Sequence, residues 1–153
     1  MYFYDAPPAN GLLKNPIDGS TLNLATTPHF RQYTSLIDAL EMKPNFAVRR
    51  GEVVVHGWKL GSQAFDAMLK APRAPTGQDI VPNIEQKGVD LRIGLDIARL
   101  ALREMVEIIV VVTGDSDLVP AFRFARREGV RVYLDHLGHG VRRDLKAHAD
   151  IVL

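Results

Sequence analysis

Runs of apolar residues divide the chain into alternating strands and helices. The clearest run is residues 108–112, where five β-branched residues follow one another without polar alternation. Such a run predicts a strand that is buried on both faces, as in a parallel sheet. Residues 118–128 then show helical spacing, and residues 130–134 predict another strand. Strands that alternate with helices indicate a parallel sheet, so the predicted fold class is α/β.

The first half of the chain predicts fewer regular elements. Residues 2–4 predict a short strand, and residues 46–60 a strand interrupted by glycines. Thr27 and Pro28 are typical of an N-cap and first helical residue, and they predict a helix that ends near residue 43. Two segments rich in Gly, Pro and polar residues are predicted as loops: residues 9–27 and 61–83.

A strong helical pattern covers residues 91–105, immediately before the buried strand. Its predicted core face recurs at spacings of four and three residues and consists of Leu91, Leu95, Ala98, Leu102 and Met105, and a wider stripe also includes Ile97, Leu100 and Ala101. In the next helix Ser116 or Asp117 is the predicted N-cap, Pro120 falls in the first turn, and Gly129 follows the last turn.

Composition places the chain among ordinary single-domain globular proteins. A length of 153 residues predicts one domain spanning residues 1–153, and no apolar run approaches the ~20 residues that a membrane span needs. The absence of cysteine excludes disulfides, thiolate metal sites and a cysteine nucleophile, and it fits a reducing, cytoplasmic location. A net charge of +1 means that any nucleic-acid contact must depend on a local basic cluster.

The strand at 108–112 is followed by two acids. Asp115 and Asp117 flank Ser116 directly after the Thr113–Gly114 turn. Open α/β sheets bind ligands at the carboxyl ends of their strands, although one of these acids could instead serve as a helix cap. Clustered carboxylates raise one another's pKa and are stabilised by a cation. Oxygen ligands without nearby Cys or His suit Mg²⁺ or Mn²⁺.

A third acid, Asp90, lies at the start of the helix 91–105. Taken alone, it is at least as well explained as a helix cap. Asp96 follows six residues later, about 240° around the helix, so the two side chains do not share a face. We therefore interpret Asp96 as structural or solvated.

Basic residues concentrate late in the chain. Arg123, Arg127 and Arg131 are spaced by four residues, which would suit phosphate binding along one helix face. Gly129 ends that helix, however, so a solvated basic face is an equal alternative. Three histidines are interpreted as polar surface: His136, His139 and His148. Nucleotide-binding motifs of the Walker A and GxGxxG kinds are absent.

Four short motifs together resemble a known family. They are Tyr-Asp-Ala-Pro at residues 4–7, Lys-Gly-Val-Asp at 87–90, Thr-Gly-Asp-Ser-Asp-Leu-Val-Pro at 113–120, and Gly-Val-Arg-Val at 129–132. In this order they resemble the NYN domain, and within it the LabA-like branch of the PIN-like ribonuclease superfamily. The resemblance spans nearly the whole chain. It implies a three-layer PIN-like domain with a central parallel sheet flanked by helices.

The resemblance also implies a function. NYN domains of this kind cleave RNA phosphodiesters with a divalent metal held by carboxylates, and Asp90, Asp115 and Asp117 match the motif acids. RNA is then the expected partner. The residues expected to contact it are Thr113, Ser116, Arg123 and Arg127. The main alternative is a catalytically inactive module that binds nucleic acid or protein on the same fold. A phosphatase-like or receiver-like metal domain ranks last, because its signatures are absent.

One departure from the family concerns the first strand. Family members usually begin with a mid-sheet strand that ends in Asp, whereas this chain starts at what resembles the second strand, residues 2–4. Asp18–Gly19 with Asn23 imitates the missing motif but lies in a predicted loop, so no role is transferred to it. We expect either a longer natural protein or a variant without this strand. A second copy or a partner chain could cover the exposed sheet.

Overall fold

Helices and strands alternate through a chain that divides into two units, Met1–Val89 and Asp90–Leu153. The computed structural model describes all residues from 1 to 153. Parallel strands and helices occur in both units, which confirms the predicted α/β class. None of the helices combines the length and apolar character needed to cross a bilayer. That residues 1–153 form one domain stays a prediction.

Unit 1 contains six strands and two helices: β1 (Tyr2–Asp5), β2 (Leu12–Lys14), β3 (Thr21–Asn23), α1 (Pro28–Glu41), β4 (Ala47–Arg50), β5 (Glu52–Leu60), α2 (Ser62–Lys70) and β6 (Ile80–Lys87). β1 and β4 pair in parallel, with Tyr2 opposite Ala47, and α1 lies between them in the chain. Thr27 caps α1 by accepting a hydrogen bond from the Phe30 N–H at 3.2 Å, and Pro28 is the first helical residue. The predicted start of this helix is confirmed.

The two predicted loops of unit 1 are wrong in part. Residues 9–27 contain the β2–β3 hairpin and a short 3₁₀ turn, and residues 61–83 contain α2 and the start of β6. β6 pairs antiparallel with β5, and Pro82 lies opposite Trp58, beside a register shift in the ladder. A proline is tolerated at such an irregular position because the regular ladder bond is already interrupted. The apolar pattern did not reveal these strands, because β2 and β3 are only three residues long and the start of β6 contains a proline.

Unit 2 contains three parallel strands and three helices: α3 (Val89–Leu102), β7 (Ile108–Val112), α4 (Val119–Arg127), β8 (Arg131–Asp135), α5 (Arg143–Ala147) and β9 (Ile151–Val152). The strand order is β7-β8-β9, and Ile108 lies opposite Arg131. A core of fully buried side chains from α4, β8 and α5 holds these elements together: Phe122, Val132, Leu134 and Leu145. The predicted parallel strands at 108–112 and 130–134 are thus confirmed.

The prediction that β7 is buried on both faces is wrong. Ile109 is buried, but Val110 is 55% exposed and Val112 59% exposed. β7 is an edge strand of its sheet, and only the face carrying Ile109 contributes to the core of unit 2. An uninterrupted apolar run therefore does not show that both faces are covered.

The predicted core face of the helix that follows β6 is wrong in part. Leu91, Leu95 and Leu102 are exposed, whereas Ile97 and Ala101, from the wider predicted stripe, are buried against the core. α3 ends at Leu102 rather than at the predicted residue 105. Because apolar residues occur on most sides of this helix, their spacing could not select the side that packs.

Candidate carboxylate site

The loop after β7 brings two acids to the carboxyl edge of the unit 2 sheet. Val112 lies opposite Asp135 in the β7–β8 ladder, and the Thr113 N–H extends the ladder by donating to the Asp135 carbonyl at 3.0 Å. Asp115 and Asp117 follow directly, and both are exposed. Asp115 and Asp117 therefore lie at the carboxyl end of a strand, as the sequence predicted.

Hydrogen bonds inside this loop fix the position of Asp115. Its Oδ1 accepts the Asp117 N–H at 2.8 Å, and its own N–H donates to Thr113 Oγ1 at 3.0 Å. Asp115 is thus the N-cap of a 3₁₀ turn, Ser116–Leu118, that precedes α4. The prediction of Ser116 or Asp117 as N-cap is wrong, because the tight turn begins before the α-helix does. Pro120 falls in the first turn of α4, as predicted.

Asp90 lies inside the first turn of α3, one residue after the helix begins, and its side chain is exposed. It is therefore not the helix cap. Partial desolvation, followed by the negative charges of Asp115 and Asp117, raises the pKa of the Asp90 carboxyl above its ordinary value. The three carboxylates consequently lie within electrostatic reach of one another.

The three acids do not converge into a ready-made cluster of three metal ligands. Their chemistry nevertheless fits a hard cation, since the donor atoms are carboxylate oxygens, and since the negative charges of Asp115 and Asp117 add to partial desolvation in raising the pKa of Asp90. A divalent ion would offset this repulsion. The residues present thus fit Mg²⁺ or Mn²⁺ by donor type.

Side-chain hydroxyls and one arginine surround the acids. Thr113 Oγ1 is occupied by the Asp115 N–H, and Ser116 Oγ accepts a hydrogen bond from Arg142 Nη1 at 3.1 Å. Thr113 and Ser116, expected to contact substrate, therefore first shape the loop. Arg142 brings a positive charge to this edge and was not among the predicted site residues. Nothing local in the sequence links it to Ser116, because 26 residues separate the two.

Similarity to known proteins identifies the family of this chain. The NYN domain family model matches residues 17–152. The chain belongs to the NYN domain family. It is also 28% identical over 103 residues to an uncharacterized protein, MJ0482, of Methanocaldococcus jannaschii. That alignment covers 67% of this chain and 42% of the relative, so the chain matches less than half of the relative's length. No solved structure matches the chain.

Membership of this family indicates a general type of fold and chemistry for this NYN domain. NYN domains have a PIN-like nuclease-type fold, typically bind RNA, and those that are nucleases generally depend on divalent metals. The match covers the motifs with Asp90, Asp115 and Asp117, whereas the Tyr-Asp-Ala-Pro motif at residues 4–7 lies before it. The match also includes residues 18–23.

In this NYN domain Asp18 has a local structural role. It lies in the turn of the β2–β3 hairpin, where Oδ1 accepts the Ser20 N–H at 2.9 Å and the Ser20 Oγ–H at 2.6 Å. These hydrogen bonds lower the pKa of Asp18. No strand ends at Asp18, so its environment differs from that of a strand-end acid such as Asp115.

The structure separates the predicted basic residues from the acids. α4 starts beside the acid loop and ends at Arg127, and β8 then begins at Arg131, opposite the first residue of β7. Arg127 therefore lies towards the amino edge of the sheet, whereas Asp115 lies beyond its carboxyl edge. Arg123 lies between them on α4 and lines the same cavity as Arg127 and Arg131.

Two further polar residues at the carboxyl edge were missed. Asp135 ends β8 and accepts the Leu137 N–H at 2.9 Å, and the rule that pointed to Asp115 could also have found it. His136 is half-buried, and its buried Nδ1 has no hydrogen-bond partner. His148 keeps 27% of its side chain exposed and lies 3.2 Å from Asp144. The surface interpretation is therefore right for His139 and His148, and wrong for His136, whose Nδ1 is buried.

Proposed function

We propose that this NYN domain is a divalent-metal-dependent ribonuclease-type domain that cleaves RNA phosphodiesters. Asp90, Asp115 and Asp117 are its catalytic residues and metal ligands. The observation that carries the proposal is the position of Asp115 and Asp117 directly after β7 at the carboxyl edge of the sheet, within electrostatic reach of Asp90. Like charges gathered at an exposed sheet edge cost free energy, and a bound cation would remove that cost.

The loop hydrogen bonds suggest how the chain prepares the site. The Asp117 N–H and Thr113 Oγ1 hold Asp115 in one orientation, so its carboxylate is preorganised. When bound, Mg²⁺ or Mn²⁺ would lower the pKa of a water and stabilise charge on the phosphate. Arg142, which donates a hydrogen bond to Ser116, supplies a guanidinium group for a phosphate oxygen of the substrate. Thr113 and Ser116 stabilise the loop that carries the acids.

The second candidate is a catalytically inactive module that binds nucleic acid or protein. It is favoured by one observation, which is that the three acids do not form a converged group of metal ligands. Such a module would bind RNA without needing the metal. The nuclease and the inactive module therefore differ in whether the domain binds the metal and whether it cleaves RNA.

The test is cleavage of a labelled single-stranded RNA with Mn²⁺. Asp115→Asn should lower the cleavage rate by about 100-fold or more, as loss of an electrostatic contact to a transition state does. Asp66→Asn is the matched control, since Asp66 is an exposed acid of unit 1. Mn²⁺ binding, measured by calorimetry, should weaken in Asp115→Asn only. If the wild-type domain binds RNA but neither cleaves it nor binds Mn²⁺, the result would support the inactive module instead.

We also propose that the chain belongs to the LabA-like branch and lacks the family's first strand. The unpaired edge of β7 in the unit 2 sheet supports this, because an added strand would pair with the backbone groups there. A second copy or a partner chain would then cover the sheet. The family match runs across both units, which supports one domain over residues 1–153. Cleavage by this chain should be compared with that by a version carrying an added N-terminal strand ending in Asp.

A further inference from the structure

A cavity of about 380 Å³ lies in unit 2 where α4 ends and β8 begins. Four arginines line it together with one acid: Arg123, Arg126, Arg127, Arg131 and Asp150. This volume lies at the lower end of the range for small-ligand sites, ~300–1,000 Å³. It could admit a phosphate group with part of its sugar, so the question is which charges it offers.

Only one of the four arginines is neutralised. Arg126 Nη2 lies 2.9 Å from Asp150 Oδ1, and Asp150 Oδ2 accepts the Val132 N–H at 2.8 Å. The remaining three arginines are exposed and form no ion pair: Arg123, Arg127 and Arg131. Three acids line a neighbouring cavity that shares Arg131, and none of them pairs with it: Glu104, Glu107 and Glu128. The arginine-lined cavity thus holds a net positive charge.

The arginine cavity is distant from the acids. β7 rises by ~3.3 Å per residue, so its five residues separate the two edges of the sheet by about 13 Å. Arg131 lies opposite Ile108 at one edge, and Asp135 opposite Val112 at the other. At the 3.4 Å rise of a stacked strand, about four nucleotides would cover this separation.

We infer that the arginine cavity binds the phosphodiester backbone of single-stranded RNA as a second contact, separate from the carboxylate site. Guanidinium groups bind phosphate oxygens through paired, charge-assisted hydrogen bonds, and three unpaired arginines can engage successive phosphates. The choice of RNA over another polyanion rests on the proposed function. The cavity holds RNA in position while the acids act on a phosphate several nucleotides away.

The test measures RNA affinity without metal, so it does not depend on cleavage. A labelled 20-nucleotide RNA is titrated in EDTA with the wild-type chain and with Arg127→Gln/Arg131→Gln. Each phosphate contact contributes about 0.7 to the slope of log affinity against log salt for single strands, so two contacts contribute about 1.4. The double variant should therefore bind about 25-fold more weakly at 0.1 M salt but only about 3-fold more weakly at 0.5 M salt.

Two controls separate the cavity from net charge and from the acid site. Arg31→Gln/Lys70→Gln removes two exposed positive charges from unit 1 and should leave affinity within about twofold. Asp115→Asn should bind RNA in EDTA at least as well as wild type. Thermal unfolding checks that all variants are folded.

The outcomes are distinct. Equal losses in the cavity and control variants would overturn the inference, because binding would then follow net charge alone. An unchanged salt slope in the cavity variant, or equal competition by polyglutamate of matched charge, would also overturn it. Wild-type RNA binding that depends on Arg127 and Arg131 while Mn²⁺ produces no cleavage would retain the cavity and refute the nuclease.

Discussion

Which side of α3 faces the core can be tested with two substitutions of equal size. Ile97→Ala and Leu95→Ala each remove three carbon atoms from the same helix. Ile97 is 5% exposed and Leu95 60% exposed, although apolar spacing predicted Leu95 as a core residue. The two positions are about 200° apart around the helix. Turning α3 by that angle would carry Asp90 away from Asp115 and Asp117, so the test also concerns the carboxylate site.

The structure predicts clearly different costs. Full burial of a leucine side chain is worth about 1.5–3 kcal/mol, and about 40% of Leu95 is covered, so Leu95→Ala should cost about 1 kcal/mol at most. Ile97→Ala also leaves a cavity among packed neighbours and should cost about 3 kcal/mol, within the usual range of about 2–5. A difference of about 2 kcal/mol separates the urea midpoints by about 1 M if the slope is about 2 kcal/mol per M.

Urea unfolding followed by circular dichroism measures both variants against the wild type. The expected order of midpoints is wild type, then Leu95→Ala close below it, then Ile97→Ala well below. Equal losses would show that Leu95 is covered in solution as fully as Ile97. A larger loss for Leu95→Ala would refute the orientation of α3 and with it the position of Asp90.

Two other predictions concern the loss of stability at low pH and the turn at Gly129. Hydrogen bonds from Arg73 at 2.6 and 2.7 Å, and then from Thr76, hold the pKa of Asp79 well below its ordinary value. This stabilisation is complete above about pH 5 and declines as the pH falls further. Asp79→Asn should therefore be less stable than wild type at pH 7, and its free energy of unfolding in urea should vary less between pH 5 and pH 3. Parallel pH profiles of the variant and the wild type would contradict this. Gly129 has φ +84° with open space around it, so Gly129→Ala should cost about 1 kcal/mol through backbone strain alone. Gly140→Ala is the control, because φ at Gly140 is not left-handed. If the Gly129→Ala and Gly140→Ala variants had equal melting temperatures, the prediction would be contradicted.

Local chemistry was readable directly from the sequence. The Thr27–Pro28 helix start, the turn at Gly129 and the parallel strands around residues 110 and 132 all follow from short-range preferences of the backbone. The position of Asp115 and Asp117 at a strand end follows for the same reason, because a strand, a glycine turn and a helix start occupy adjacent residues. These features depend on few distant contacts.

Features that depend on distant residues were decided only by the tertiary structure. β6 becomes stable by pairing with β5, and β2 by pairing with β3, although residues 9–27 and 61–83 look like loops by themselves. The packed side of α3 depends on where the core lies, since apolar residues surround most of that helix. The contact of Arg142 with Ser116 arises because the chain returns to the same sheet edge after β8. The sequence by itself therefore determined the local elements and the strand-end acids, while folding decided which faces are covered and which charges meet.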